Sequence, residues 1–159
     1  MPIAVGDRIP EVELRTLGDA GPQKVSSADV LGKGKVVLFA VPGAFTPGCS
    51  KVHLPGFVSR ANELTAKGVD TIACIAINDA WVMDAWAQDQ QVGDKITMLS
   101  DDGSFTEAMG LVMDGSAFGL GQRSQRYAAV IEDGVITHLD VEQGGGIQVS
   151  SCEAVLERL

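Results

Sequence analysis

The stretch from Lys35 to Ser50, K-V-V-L-F-A-V-P-G-A-F-T-P-G-C-S, constrains the fold of this chain more than any other. Its first part, Lys35 to Val41, is a continuous apolar run bounded by Gly34 and Pro42. Such a run predicts a central strand covered on both faces. Its second part is a rigid Pro/Gly loop that ends at Cys49, where a helical pattern begins. The unpaired N–H groups and the positive dipole end of a helix start favour negative charge. Thiols placed there titrate below the free value of about 8.5. The segment therefore predicts a buried strand feeding a loop that presents one reactive thiol.

The remaining elements follow from periodicity and caps. From Cys49 to Ala66 the pattern is helical, with Val52, Leu54, Phe57, Val58, Ala61 and Leu64 as its apolar face and Gly68 as a stop. Pro55 lies inside this segment and predicts a kink or a locally broken ladder. Val69 to Ile77 reads as a second buried strand, after which Asn78 or Asp79 caps a helix through Trp81, Val82, Ala85 and Trp86. Ile96 to Leu99 is a short strand, and Phe105 to Met109 is one helical turn or two. Gly110 to Arg123 is expected as a long glycine-containing loop, a type that often carries function. Tyr127 to Ile131 and Val135 to Val141 flank Asp133-Gly134, a hairpin signal. Ser150 or Ser151 caps a last helix with Val155, Leu156 and Leu159 inward. Residues 1–30 are rich in turns, with Glu11 to Arg15 as a short edge strand. Without linker or repeat, residues 1–159 predict one three-layer α/β domain.

Composition narrows the function. Twelve Lys and Arg against 21 Asp and Glu give a net charge of −9, which argues against nucleic acid or an anionic membrane as partner. The N-terminus has no basic region followed by an apolar run, so a cytoplasmic location is expected. Three scattered cysteines, Cys49, Cys74 and Cys152, fit redox or nucleophilic use in a reducing compartment better than a disulfide scaffold. Cys49 and His53 share a helix face, yet one cysteine and one histidine are too sparse for zinc, and no metal or cofactor is expected. There is no C-x-x-C, and neither the G-L-G of Gly119 to Gly121 nor Gly144 to Gly146 has phosphate-loop spacing.

The P-x-x-x-T-x-x-C spacing of Pro42, Thr46 and Cys49 resembles the active-site signature of peroxiredoxins. The fuller string V-P-G-A-F-T-P-G-C-S-K-V-H-L-P-G-F resembles the peroxiredoxin-5, or type II, subfamily. The likeness runs on through A-I-N-D-A-W-V-M-D-A-W and R-Y-A-A-V-I-E-D-G-V, from about residue 3 to the end. It implies a thioredoxin-like three-layer sandwich, with a central mixed sheet flanked by helices. It also implies reduction of hydrogen peroxide and organic hydroperoxides. Cys49 matches the peroxidatic cysteine, whose thiolate attacks a peroxide oxygen and is left as a sulfenic acid. Arg126 matches the family's active-site arginine. On residue type alone Lys51, Arg60 and Arg123 are further candidates, with Arg123 the alternative if the loop register shifts.

Around these, the Thr46 hydroxyl can accept from the thiolate environment or donate to the peroxide, and Pro42 shapes and shields the pocket. Backbone N–H groups of Gly48 or Cys49 can polarise the peroxide. His53 is expected to be structural or pocket-lining, and Phe45 and Phe118 to line an apolar mouth. Cys74, 25 residues after Cys49, resembles the second cysteine of plant and bacterial type II members, but its apolar strand also suits a packed side chain. Cys152 lies a few residues beyond the place where some members keep a resolving cysteine. The simplest cycle is closed by glutathione and glutaredoxin. The alternatives are a thioredoxin-dependent two-cysteine cycle and a redox sensor that passes oxidation to a partner protein. A homodimer packed through the active-site loops is expected from the family.

Overall fold

Residues Val36 to Ala40 are completely inaccessible because their strand lies inside a sheet covered on both faces. In the computed structural model, which describes residues 2–159, this strand is β3 (Lys35–Ala40). The others are β1 (Glu13–Gly18), β2 (Gly21–Ser26), β4 (Thr71–Ala76), β5 (Thr97–Ser100), β6 (Val112–Asp114), β7 (Gln122–Ser124), β8 (Tyr127–Glu132) and β9 (Val135–Val141). The main sheet has seven strands in the order β2-β1-β5-β4-β3-β8-β9. Strand β3 runs parallel to β4 and antiparallel to β8. Side chains alternate across it. Val37 and Phe39 join a core with Leu54, Phe57, Trp86 and Val155, while Val36 and Leu38 join one with Leu31, Phe105 and Met109. Helices α2 (Leu54–Ser59), α3 (Ala61–Ala66), α4 (Ala80–Asp89) and α6 (Cys152–Arg158) therefore cover one face, and α1 (Ser27–Leu31) and α5 (Ser104–Met109) the other. This is the thioredoxin-like sandwich with a mixed sheet.

Register places the chemistry. Ala40 pairs with Tyr127, so Arg126, the residue just before β8, arrives where β3 ends and the Pro42 loop begins. The predicted Asp133-Gly134 turn forms with φ of 49° and 85°, both in the left-handed region that a tight hairpin turn needs.

The broken ladder expected at Pro55 is present, and three expectations need correction. Cys49 to Ala66 is not one helix with a single apolar face but a π-helical turn over Cys49–His53, then α2, then α3. Pro55 has no N–H to donate, and the ladder widens just before it, with the Leu54 N–H bonding to the Cys49 carbonyl five residues back. The extra residue in that turn rotates the face: His53 is buried, while Val52 is 54% exposed rather than part of the apolar stripe. Next, the expected loop from Gly110 to Arg123 contains the paired strands β6 and β7 around a single 3-10 turn, Ser116–Phe118. Strands this short leave no alternation to read. Finally, the turn-rich N-terminal segment holds the β1–β2 hairpin and α1, capped by the Ser26 hydroxyl at 3.2 Å from the Ala28 N–H.

Trp86 on α4 is fully buried and donates its indole N–H to the Ser50 hydroxyl at 3.0 Å, bracing the π turn from behind. Trp86→Phe should keep the fold, since it is smaller and apolar, but cost about 2 kcal/mol through a lost hydrogen bond and a small void. Urea unfolding should show a lower midpoint with an unchanged slope. An unchanged midpoint would mean that the bond does not brace the turn.

Candidate active site

The loop that carries Cys49 is pinned by hydrogen bonds at Val41, Ala44 and Thr46. The Val41 N–H bonds to the Ile75 carbonyl at 3.2 Å, and the Ala44 N–H to Asn78 Oδ1 at 2.9 Å. Phe45 has φ of 65°, an unusual conformation for a bulky residue that the neighbouring bonds hold in place. The Thr46 hydroxyl donates to the Gly43 carbonyl at 2.7 Å. Its proton is thereby committed, and its lone pairs remain to accept from an incoming O–H; of the two roles expected for Thr46, this geometry favours acceptance. Gly43 and Gly48 allow close approach. A Cβ at Gly43 would lie 3.0 Å from Arg123 Nη1, and one at Gly48 would lie 3.3 Å from Arg126 Nη2.

Cys49 is completely buried, and Arg126 Nη2 donates to its Sγ at 3.2 Å. The other arm of the guanidinium, Nη1, lies 2.9 Å from His53 Nδ1. On the far side of the ring, Nε2 lies 2.8 Å from the Ser150 carbonyl oxygen. These contacts fix the tautomer, because a guanidinium can only donate and a carbonyl can only accept. His53 must carry its proton on Nε2 and offer a lone pair at Nδ1. It is therefore neutral. Burial is the main cause that lowers its pKa to about 4, with the Arg126 charge reinforcing and the Ser150 carbonyl opposing. The ring is also wedged against Phe39 and Phe57, at centroid distances of 5.0 and 5.6 Å. His53 thus aims Arg126, whose Nη2 is held within hydrogen-bonding distance of the sulfur.

The structure brings Cys49, His53 and Gly48 against Arg126, with Pro42 beside Arg126 at one cavity and Thr46 in the loop leading into the turn, its carbonyl accepting from the Ser50 N–H. Arg123 sits behind them, donating from Nη1 to the Pro42 carbonyl at 3.2 Å and from Nε to the Leu120 carbonyl at 3.1 Å. Lys51 is exposed, and Arg60 forms a bidentate surface pair with Glu63 at 2.7 and 3.0 Å, so neither reaches the site. A cavity of about 450 Å³ opens beside Pro42 and Arg126, walled by Met113, Asp114, Gln125, Glu142 and Gly144 among others. Phe45 and Phe118, expected at an apolar mouth, do not line it; they are 52% and 84% exposed. The outward pitch of Phe45 follows from its positive φ, and that of Phe118 from its place on the 3-10 turn between β6 and β7.

The other two cysteines are unpaired and buried. Cys74 lies on β4 opposite Phe39, in the same core as Cys49. Burial pushes its thiol well up, with the neighbouring Cys49 adding to the effect and Arg126 opposing it. Cys152 opens α6, and burial pushes its thiol up to about 11. Sequence reasoning missed the contribution of Ser150, which acts through its main-chain carbonyl and leaves no trace in residue type.

The chain matches the Redoxin family over residues 4–156. It is 49% identical to peroxiredoxin-2E, chloroplastic, of Arabidopsis thaliana, over 99% of this chain and 69% of that protein. It is 41% identical to peroxiredoxin-2B of the same plant, over 99% of both. Among solved structures it superposes on reduced Prx3 from Vibrio vulnificus in complex with hydrogen peroxide, with a TM-score of 0.93, 48% identity and 98% of each chain covered.

The neutral His53 makes a prediction about pH. Its folded pKa of about 4 lies below the ordinary 6.5, so the folded protein binds fewer protons there than the unfolded chain. Its contribution is complete above pH 6.5 and is lost as the pH falls to about 4, by about 3 kcal/mol in all. His53→Asn, which does not titrate, should therefore lose less stability than wild type over that interval, as read from urea midpoints. Parallel losses would show that His53 does not titrate in this way.

Proposed function

The chain belongs to the peroxiredoxin family and is a peroxidase of that kind; we propose that Cys49 is its peroxidatic thiolate, acting on hydrogen peroxide and organic hydroperoxides, with glutathione and glutaredoxin as reductant. The observation that carries this reading is the Arg126 donor at 3.2 Å from Cys49 Sγ, on a guanidinium that His53 cannot let swing away. The thiolate attacks one peroxide oxygen as the O–O bond breaks. The other oxygen leaves and takes up from solvent the proton that the thiol released on ionising, departing as water or an alcohol, and Cys49 becomes a sulfenic acid. Arg126 stabilises charge moving from sulfur to the leaving oxygen, while Thr46 accepts from the peroxide hydroxyl. A glutathione thiolate then attacks the sulfenic sulfur and releases water. A second thiol, from glutaredoxin or glutathione, breaks the mixed disulfide and returns the Cys49 thiolate.

Burial of Cys49 bears on the second half of this cycle. The cavity beside Pro42 and Arg126 is not lined by Cys49, which has no exposed surface, so a tripeptide thiol needs the Cys49–His53 turn to unwind, whereas a peroxide needs only a small local opening. The same unwinding serves the alternative in which Cys74 attacks the sulfenic acid and thioredoxin reduces the disulfide. That alternative is favoured by the shared core of the two cysteines and disfavoured by the raised Cys74 thiol. Exposed Phe45 and Trp81, flanking the bond between Ala44 and Asn78, support a homodimer that packs over the loop.

Cys49→Ser should abolish peroxide turnover, and Arg126→Ala should slow it roughly a hundredfold to a thousandfold. Retention of the wild-type rate by Cys49→Ser would overturn the mechanism. Intact mass after one equivalent of peroxide then separates the reductants. A gain of one oxygen that converts to a glutathione adduct means external resolution. A loss of two hydrogens that Cys74→Ser or Cys152→Ser abolishes means internal resolution and a thioredoxin-type donor.

A further inference from the structure

We propose that Glu142 is a positioning residue for the Cys49 reaction, because its carboxylate fixes the Ser150 carbonyl that holds His53, and through it Arg126, in register with the sulfur. The proposal rests on the peroxidase reading of Cys49 and goes beyond it. One carboxylate oxygen, Glu142 Oε2, accepts from the backbone N–H groups of Gln148, Val149 and Ser150 at 2.8, 2.9 and 2.8 Å, and from the Ser150 hydroxyl at 2.7 Å. Successive N–H groups converging on one point make an anion-binding nest, and here the anion is supplied by the chain itself. Burial works to raise the Glu142 carboxyl, but the bonds from Ser150, Gln148 and Val149 outweigh it and hold the group below the usual carboxylate range, so it stays charged. Glu142 is tied at its other end as well, since its own N–H bonds to the Arg126 carbonyl at 2.9 Å.

The result is a closed circuit. It runs from the Arg126 main chain to Glu142, across the carboxylate to Ser150, from the Ser150 carbonyl to His53, and back to the Arg126 guanidinium. The connecting segment holds Gly144, Gly145 and Gly146, which are exposed and conformationally free. Nothing in their side chains can hold Ser150 in place. If the Ser150 carbonyl drifts, His53 loses the acceptor that keeps its proton on Nε2. A proton on Nδ1 would then face the Arg126 N–H, donor against donor, and push the guanidinium off the sulfur.

The test compares wild type with Glu142→Gln by two readouts. Single-turnover oxidation of Cys49 by hydrogen peroxide, followed without reductant, should slow about tenfold, as for the loss of one charge-assisted hydrogen bond. Nitrogen NMR of the imidazoles should show His53 as the Nε2-protonated tautomer in wild type and as a mixture in the variant. A double-mutant cycle then separates positioning from a general structural role. If Glu142 acts through His53, Glu142→Gln should have little further effect on the rate in a His53→Asn background. Full additivity, or a wild-type rate and tautomer in Glu142→Gln, would overturn the proposal. Glu142→Asp, which keeps the charge with a shorter reach, takes its place if the glutamine variant does not fold; it should slow Cys49 oxidation by less than about tenfold and still show a tautomer mixture, and wild-type values would again refute the idea. Should wild-type Cys49 itself fail to react with peroxide, the peroxidase reading falls, while the tautomer readout still decides the role of Glu142.

Discussion

The guanidinium of Arg126 has donors on every edge and no acceptor, so each neighbour that it touches must supply a lone pair. That requirement orders the surroundings of Cys49. Sulfur supplies one lone pair and His53 Nδ1 another, and the histidine can do so only if its proton sits on the opposite nitrogen. A lysine in place of Arg126 could not hold both partners in one plane. The neutrality of His53 follows from the same condition. A protonated ring would place two cations side by side in a buried space, and burial already disfavours that charge.

The sheet supplies what the side chains cannot, which is placement. Cys49 and Arg126 are 77 residues apart in the chain, yet antiparallel pairing of β3 with β8 brings Arg126 level with the start of the loop. The loop is then held to β4 by Val41 and to the start of α4 by Ala44, so it shares the rigidity of the core rather than the freedom of a surface turn. Trp86 extends that support beneath the π turn. The site is thus built on strand ends and helix starts, which position a reacting group more tightly than exposed loops do.

How far the sequence revealed this depends on which groups act. Strand β3, the β8–β9 hairpin and the last helix were legible because buried runs, Asp-Gly and serine caps are local signals. Cys49 and Arg126 were legible as a pair only through resemblance, since one arginine among twelve basic residues has no local mark. The phase of the helix after Cys49 was read wrongly at Val52 because the pattern was counted at 3.6 residues per turn, and the π turn before Pro55 changes that count. The β6–β7 pair was hidden by its shortness. The Ser150 carbonyl was invisible for a deeper reason: a main-chain acceptor is present at every position, and only the fold selects one.

The closed site and the proposed cycle place opposite demands on the Cys49–His53 turn. Bonding between Arg126 and a thiolate is charge-assisted and stabilises the turn in its wound form. Oxidation to a sulfenic acid removes the negative charge and adds an oxygen to a side chain with no exposed surface. Both changes weaken the wound state, one by lowering the strength of the hydrogen bond and the other by crowding a filled space. Loss of even about 1.4 kcal/mol shifts the winding equilibrium tenfold toward the open form that a thiol can attack. The π turn suits this exchange, because the proline that follows has no N–H to donate and so leaves one backbone bond fewer to break than a regular helix would have. In this scheme the oxidation state of the sulfur itself selects which conformation is favoured.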